Sequence, residues 1–392
     1  MNNFEDQLEA LLKENAASVH KREQSSFDDV VGAVGGRIVL FGAGKVGRAF
    51  LQSLRKAGIE PLAFSDNDPG KWNTQIDGLT VLPPESAIKQ FALSAVFVVS
   101  IWSIRHTYTD RLEQLKGLGC AHVMPPSWVF WKFSKDLLPD YCMDLPHKVF
   151  EEADSVKRAF SVWSDDASRK EYLAQIRWRA LGDYELLARP DIEGSYFPAD
   201  VFSLHANEVF VDCGAFDGDT VQDLLRRENG KFDRIMAIEP DPINIGKLRQ
   251  YIDSLEVSQK EKVSILNLAV GSKRGKVGFS ASGTDASAIT KDSSYFVECA
   301  PLDEILADWA PTYIKMDIEG AEPDALAGTA RTIREHQPIL AVCVYHTQNH
   351  VWQIPLQIHD LCPGYKLFLR PHDFDGWQVV CYAIPEKRWR KQ

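Results

Sequence analysis

The stretch Val209-Phe210-Val211-Asp212-Cys213-Gly214-Ala215-Phe216-Asp217-Gly218-Asp219-Thr220 decides how the rest of the 392-residue chain is read. It has the pattern of a short apolar strand, a glycine turn, and a helix that continues through Val221, Leu224 and Leu225. A strand that feeds a helix through glycines opens a nucleotide-binding βαβ unit. The spacing from Asp212 through Gly214 to Gly218 is Asp-x-Gly-x-x-x-Gly, which differs from the Gly-x-Gly-x-x-Gly of a dinucleotide site. Charge separates the two more sharply than spacing. Asp212, Asp217 and Asp219 place three carboxylates in or beside the turn. A helix N-terminus attracts anions only when nothing else there is negative, so a pyrophosphate is disfavoured. A ligand with an adenosine body and a cationic end suits the turn, and S-adenosylmethionine has that form.

Downstream of this turn, strand and helix patterns alternate to the end of the chain. Ile235 to Glu239, Val263 to Ala269, Tyr313 to Asp317 and Ile339 to Tyr345 read as strands, with a helix through Ile245, Leu248 and Tyr251. Gly275 to Ser280 reads as a hairpin arm. The last two strands, Tyr365 to Arg370 and Trp377 to Ala383, follow one another with no helix between them. A parallel sheet closed by an antiparallel strand is the class I methyltransferase plan, a Rossmann-like α/β fold.

Open α/β sheets bind ligands at the carboxyl ends of their strands. Those ends carry Asp212 and Gly214, Glu239, Asn267 and Ala269, Asp317, and His346. Polar residues closing apolar runs are what a site needs and a packed core does not. Glu239 is placed to accept from two ribose hydroxyls. Gly214 and Gly218 let the backbone approach a ligand without a Cβ. Asp212 and Asp217 would hold an ammonium, and Ala215 and Pro240 flank these contacts. Asp317 is placed beside the transferred group. His346 is the candidate general base, with Glu319 as competitor and His350 behind both. Three carboxylates, at 317, 319 and 322, are of a kind that hold Mg²⁺, but no metal is part of the expectation. The loop from Ser282 to Ala288 is hydroxyl-rich and is read as a lid over cofactor and acceptor or as a surface loop.

The segments 211–220, Ile238-Glu239-Pro240-Asp241, Leu268-Ala269-Val270-Gly271 and Ile314-Lys315-Met316-Asp317-Ile318-Glu319-Gly320-Ala321-Glu322 resemble the motifs of the FkbM family of S-adenosylmethionine-dependent methyltransferases. The likeness runs in order over about residues 205–345, and its Lys-x-Asp-x-Glu-Gly-x-Glu run is distinctive. Met316 stands where the family usually carries another aliphatic residue. The resemblance implies methyl transfer to oxygen on a saccharide, glycan or small metabolite.

Upstream, Phe4, Leu8, Leu11, Leu12 and Val19 lie at helical spacing over residues 1–20. Arg37 to Phe41 then reads as a strand leading into Gly42-Ala43-Gly44-Lys45-Val46-Gly47, where the Gly-x-Gly-x-x-Gly spacing is complete. This loop carries Lys45 and Arg48 and no acid. Asp66 falls roughly where a ribose-binding acid would sit. Gly42, Gly44, Gly47 and Asp66 therefore make a candidate second nucleotide site, or a turn whose glycines serve packing alone. Residues 65–82 resemble small Rossmann-like domains attached to sugar-modifying enzymes. Residues 126–200 are dense in aromatic and charged helical patterns, with Trp128, Phe130, Trp131 and Phe133. The expected organisation is thus a Rossmann-like domain over 1–125, a helical connector over 126–200 and the methyltransferase-type domain over 201–392.

Composition is that of a globular chain, with 45% hydrophobic and 25% charged residues. No apolar run reaches the roughly 18–20 residues needed to span a bilayer. The acidic first residues are not a signal peptide, and the seven cysteines form no Cys-x-x-Cys pair or zinc spacing. A cytoplasmic protein with reduced thiols is expected. A net charge of −11 argues against nucleic acid as partner. The one basic cluster, Lys387, Arg388, Arg390 and Lys391, reads as a solvated end. A homodimer is compatible with all of this. Two alternatives stand beside methyl transfer: an NAD-dependent oxidoreductase using Gly42–Gly47, and a non-catalytic nucleotide- or sugar-binding protein. Calorimetry with NAD and with S-adenosylhomocysteine separates them.

Overall fold

A computed structural model describes residues 4–284, 287–290 and 293–389. The chain divides into two units. The first holds Met1–Lys157, Lys170–Pro190 and Asp373–Trp377, and the second holds Arg158–Arg169, Asp191–His372 and Gln378–Gln392. The stretch 126–200 is thus shared between the units.

The first unit is built on a six-stranded sheet in the order Gln75–Ile76, Leu79–Leu82, Ala63–Ser65, Ile38–Phe41, Val96–Val99, His122–Met124. All neighbours pair in parallel except the first two strands, which form a hairpin. The central strands are continuous β-branched and aromatic runs because helices cover both faces of such a sheet. Helix Lys45–Lys56 packs Phe50 edge-on against Phe130, and Trp102 meets Phe130 at 5.5 Å and Trp377 at 4.9 Å. The helical pattern of the first twenty residues is broken into two helices, Phe4–Leu12 and Ala16–Ala33. Asn15 causes the break. Its side chain accepts from the Ser18 amide at 2.9 Å and caps the second helix, which a residue inside a helix cannot do.

The second unit carries a seven-stranded sheet in the order Tyr365–Pro371, Val379–Pro385, Ile339–Cys343, Tyr313–Met316, Val209–Cys213, Arg234–Ile238, Val263–Leu266. Val379–Pro385 runs antiparallel to both of its neighbours, and the other pairs are parallel. This is the strand order of the class I methyltransferase fold. The segment read as one strand from Val263 to Ala269 is two. Asn267 donates through Nδ2 to the carbonyls of Glu239 at 2.8 Å and Pro240 at 3.1 Å, which turns the chain. Ala269–Val270 then joins a separate sheet with Phe296–Ala300, Gly275–Ser280 and Ala288–Ile289. Of the basic tail, Arg388 is not solvated. Its guanidinium donates to the Ser203 carbonyl and pairs with buried Glu208, because a cation here neutralises an otherwise costly buried acid. Lys387 is exposed, and Arg390 and Lys391 lie outside the described residues. Among the described residues no helix is long and apolar enough to cross a membrane.

Candidate functional site

Parallel pairing fixes the site. Val209–Cys213 lies between Tyr313–Met316 and Arg234–Ile238, so the residues following each strand emerge at one edge. Gly214 (φ +81°) turns the chain there, and a Cβ on it would lie 1.9 Å from the carbonyl oxygen of Asp317. Gly218 (φ +94°) starts helix Asp219–Arg227, and its Cβ would meet the Tyr251 ring at 2.7 Å. These glycines are required by close packing as much as by a ligand. Gly214→Ala is expected to cost roughly 3 kcal/mol, from left-handed backbone strain and overpacking together. The urea midpoint measures it, and an unshifted midpoint would contradict the close approach.

The three acids of the turn have separate fates. Asp212 is fully buried, with Oδ1 3.0 Å from Lys315 Nζ. Register opposes the two residues on neighbouring strands, so the pair is built into the sheet. Lys315 Nζ also donates to the Gly214 carbonyl at 2.7 Å and lies 5.0 Å from the Tyr196 ring centre. Burial pushes the Asp212 carboxyl up to about 6, with Lys315 opposing it. Asp219 is exposed and accepts from the Thr220 amide, and Asp217 is half-buried in the turn beside Ala215. Of the turn's three acids, Asp212 is thus compensated from within the sheet by Lys315, while Glu239, Asp317 and Glu319 stand at the neighbouring strand ends.

Glu239 is buried, and both its oxygens are fixed by amides. Oε2 accepts from Phe216 at 2.9 Å and Oε1 from Asp241 at 2.8 Å. Burial pushes its carboxyl up to about 7 against those two hydrogen bonds. Pro240 follows it, and Ala269 is buried beyond the Asn267 bend. Asp241 had no part in the sequence-based site. It holds the Ser282–Ala288 loop, accepting at Oδ2 from the Gly283 amide at 3.0 Å and the Ser287 hydroxyl at 2.7 Å. Asp285 and Ala286 lie outside the described residues.

At the next strand end, Asp317 accepts from the Tyr196 hydroxyl at 2.6 Å and the Tyr345 hydroxyl at 3.3 Å. His346 Nε2 lies 3.2 Å from Asp317 Oδ1 and 3.3 Å from Glu319 Oε1, and its Nδ1 lies 2.8 Å from Glu322 Oε1. His350 Nδ1 lies 3.4 Å from the other Glu322 oxygen. The structure thus brings His346, Asp317 and Glu319 together. Glu319 reaches the cluster from a left-handed backbone (φ +54°), a strained conformation of the kind that marks functional positions. Burial alone would lower His346, but Glu322, Asp317 and Glu319 outweigh it and hold the imidazole protonated well above its ordinary range. Burial would raise Asp317, but His346 and Lys315 outweigh it and keep it ionised. Glu319 is raised by burial, which His346 only partly offsets. Tyr196 was missed in the sequence. No local pattern marks a tyrosine 121 residues from the carboxylate it clasps.

In the first unit, Gly42 (φ +120°) packs against Ser100–Ile101 and Gly47 against the Gly42 carbonyl and Phe64, whereas Gly44 faces open space at the N-terminus of Lys45–Lys56. Asp66 Oδ2 accepts from the Ala43 amide at 2.8 Å and from Lys71 Nζ at 3.0 Å, and Oδ1 accepts from the Asp68 amide at 2.9 Å. Its carboxylate ties the glycine turn to the neighbouring strand end.

The family model described as "Methyltransferase FkbM domain" matches residues 212–374. A crystal structure of a methyltransferase FkbM from Methylobacillus flagellatus KT is similar at TM-score 0.80 and 23% identity, over 97% of this chain and 99% of that one, which shows a shared fold. A precorrin-6y C5,15-methyltransferase from Geobacter metallireducens GS-15 (TM-score 0.29, 14% identity, 47% of this chain and 82% of that one) is too distant to carry an argument. So is a UDP-D-quinovosamine 4-dehydrogenase from Vibrio fischeri (TM-score 0.19, 27% identity, 23% and 75%). No curated protein matches the chain. The matched domain thus identifies residues 212–374 as an FkbM-type methyltransferase domain, carried on a fold shared with a methyltransferase FkbM.

Proposed function

We propose that the chain is an S-adenosylmethionine-dependent O-methyltransferase acting on a hydroxyl of a saccharide, glycan or small metabolite. The observation that carries this reading is the edge formed by Gly214, Glu239 and Asp317, where a glycine cradle stands between a buried carboxylate and a half-buried one. Such a donor set suits a cationic, phosphate-free ligand. When bound, the cofactor supplies an activated methyl group on a sulfonium.

The chain's own residues then do three things. Glu239, oriented by two amides, accepts from the ribose hydroxyls. Asp317 stays ionised and would hold the cationic end together with Asp217 of the turn, while Asp212 acts through Lys315 on the turn's shape. Glu319, whose carboxyl burial raises and whose Oε1 already lies 3.3 Å from His346 Nε2, would take the proton of the acceptor hydroxyl. His346, already protonated, positions Asp317 and Glu319. Alignment of acceptor and methyl group supplies most of the remaining rate. In the first unit, the open N-terminus at Gly44 supports a recognition site for a nucleotide or nucleotide-linked sugar.

The pH dependence of cofactor binding tests the central contact. Glu239 is a carboxylate above about pH 7 and protonated below it. Hydroxyl donors favour the carboxylate, so S-adenosylhomocysteine is expected to bind tightest above pH 7. It weakens as pH falls, by up to about tenfold per unit. Calorimetry between pH 5.5 and 8 measures this at roughly physiological salt. A flat affinity would remove Glu239 from the ribose site.

A further inference from the structure

Away from the strand ends, a second group of metal-ligating side chains converges in the first unit: His20, Glu23 and His147. His20 and Glu23 lie three apart on helix Ala16–Ala33 and so share a face. His147 opens the short helix His147–Glu151. Glu23 is 6% exposed, and a buried carboxylate is costly unless its charge is met. What meets it is two imidazoles. His147 Nδ1 lies 3.0 and 3.1 Å from the two Glu23 oxygens, and His20 Nδ1 lies 3.3 Å from Oε2. The His147 amide also donates to Oε1 at 2.7 Å, which fixes the carboxylate.

The rings are 5.0 Å apart and tilted by 44°, so they are splayed about the carboxylate with both Nδ1 atoms turned inward. One ligand atom from each residue lies within 4.8 Å of the others. A tetrahedral ion about 2.1 Å from each donor spaces its donors roughly 3.4 Å apart, close to the 3.0–3.3 Å between the two Nδ1 atoms and the Glu23 oxygens. Two imidazole nitrogens and one carboxylate suit a borderline transition ion, whereas Mg²⁺ and Ca²⁺ prefer oxygen throughout. The His20 side chain is 51% exposed, which gives an ion access and leaves its remaining position to water.

We propose that His20, Glu23 and His147 form a binding site for a divalent transition-metal cation of the zinc class. The ion would join helix Ala16–Ala33 to the helix that begins at His147. The inference is independent of the methyl-transfer reading.

The test uses the full-length, untagged protein stripped of metal with a chelator. Co²⁺ is titrated while its visible absorption is followed, and Zn²⁺ is titrated by calorimetry. About one equivalent is expected to bind with micromolar or better affinity. His20→Ala and Glu23→Gln should each weaken it at least tenfold. His20→Ala removes a half-exposed side chain, and a circular-dichroism melt verifies its fold. Asp317→Asn is expected to leave this equivalent in place. The proposal is overturned if binding needs millimolar metal, if it survives both His20→Ala and Glu23→Gln, or if it is lost only in Asp317→Asn.

Discussion

Glu239→Ala is expected to weaken S-adenosylhomocysteine binding by about a hundredfold while leaving the fold intact. The magnitude follows from two hydrogen bonds to a charged acceptor, each about 1.5 kcal/mol, which together make about two decades in Kd. The carboxylate is already held by the Phe216 and Asp241 amides, so it needs no reorganisation to receive a ligand. The substitution also leaves those two amides without their acceptor, and the fold cost is confined to that turn. Calorimetry on the variant reads the affinity, and an affinity within threefold of wild type would place the ribose elsewhere.

Glu319→Gln should lower kcat by 10²- to 10³-fold, the usual weight of a positioned proton acceptor, with S-adenosylhomocysteine affinity unchanged. Glutamine keeps the shape and the left-handed backbone but cannot take a proton. His346→Ala is a poorer test of the same idea. It would strip the cation from among Asp317, Glu319 and Glu322 and leave three facing carboxylates, one of them, Glu322, fully buried. Uncovering such a cluster costs roughly 3 kcal/mol or more and confounds turnover with stability. A Glu319→Gln enzyme with normal kcat would return the base role to His346. That histidine reads as a base in the sequence because an isolated imidazole titrates near neutrality. Folding surrounds it with acids and makes it a fixed cation instead.

Much of the second unit was legible in the sequence. Apolar runs ending in Asp212, Glu239, Asp317 and His346 needed only local pattern and the rule that ligands sit at strand ends. The hairpin of the last two strands was visible because no helical stretch separates them. The Val263–Leu266 strand was overextended, since the pull of Asn267 on Glu239 and Pro240 is a contact between segments. The same limit explains the metal-ligating trio. Glu23 and His147 are 124 residues apart, and a search for close-spaced ligands cannot pair them.

Sequence alone determined that the chain holds two glycine-turn α/β sheets, because strand periodicity and turn chemistry are properties of neighbouring residues, and the motifs along the second resemble those of a methyltransferase family. Tertiary structure decided which charges act. It neutralised Asp212 with Lys315, fixed Glu239 between two amides, and clasped Asp317 with Tyr196, Tyr345 and His346. A carboxylate's ionisation depends on burial and on partners brought from distant parts of the chain, and folding alone supplies both.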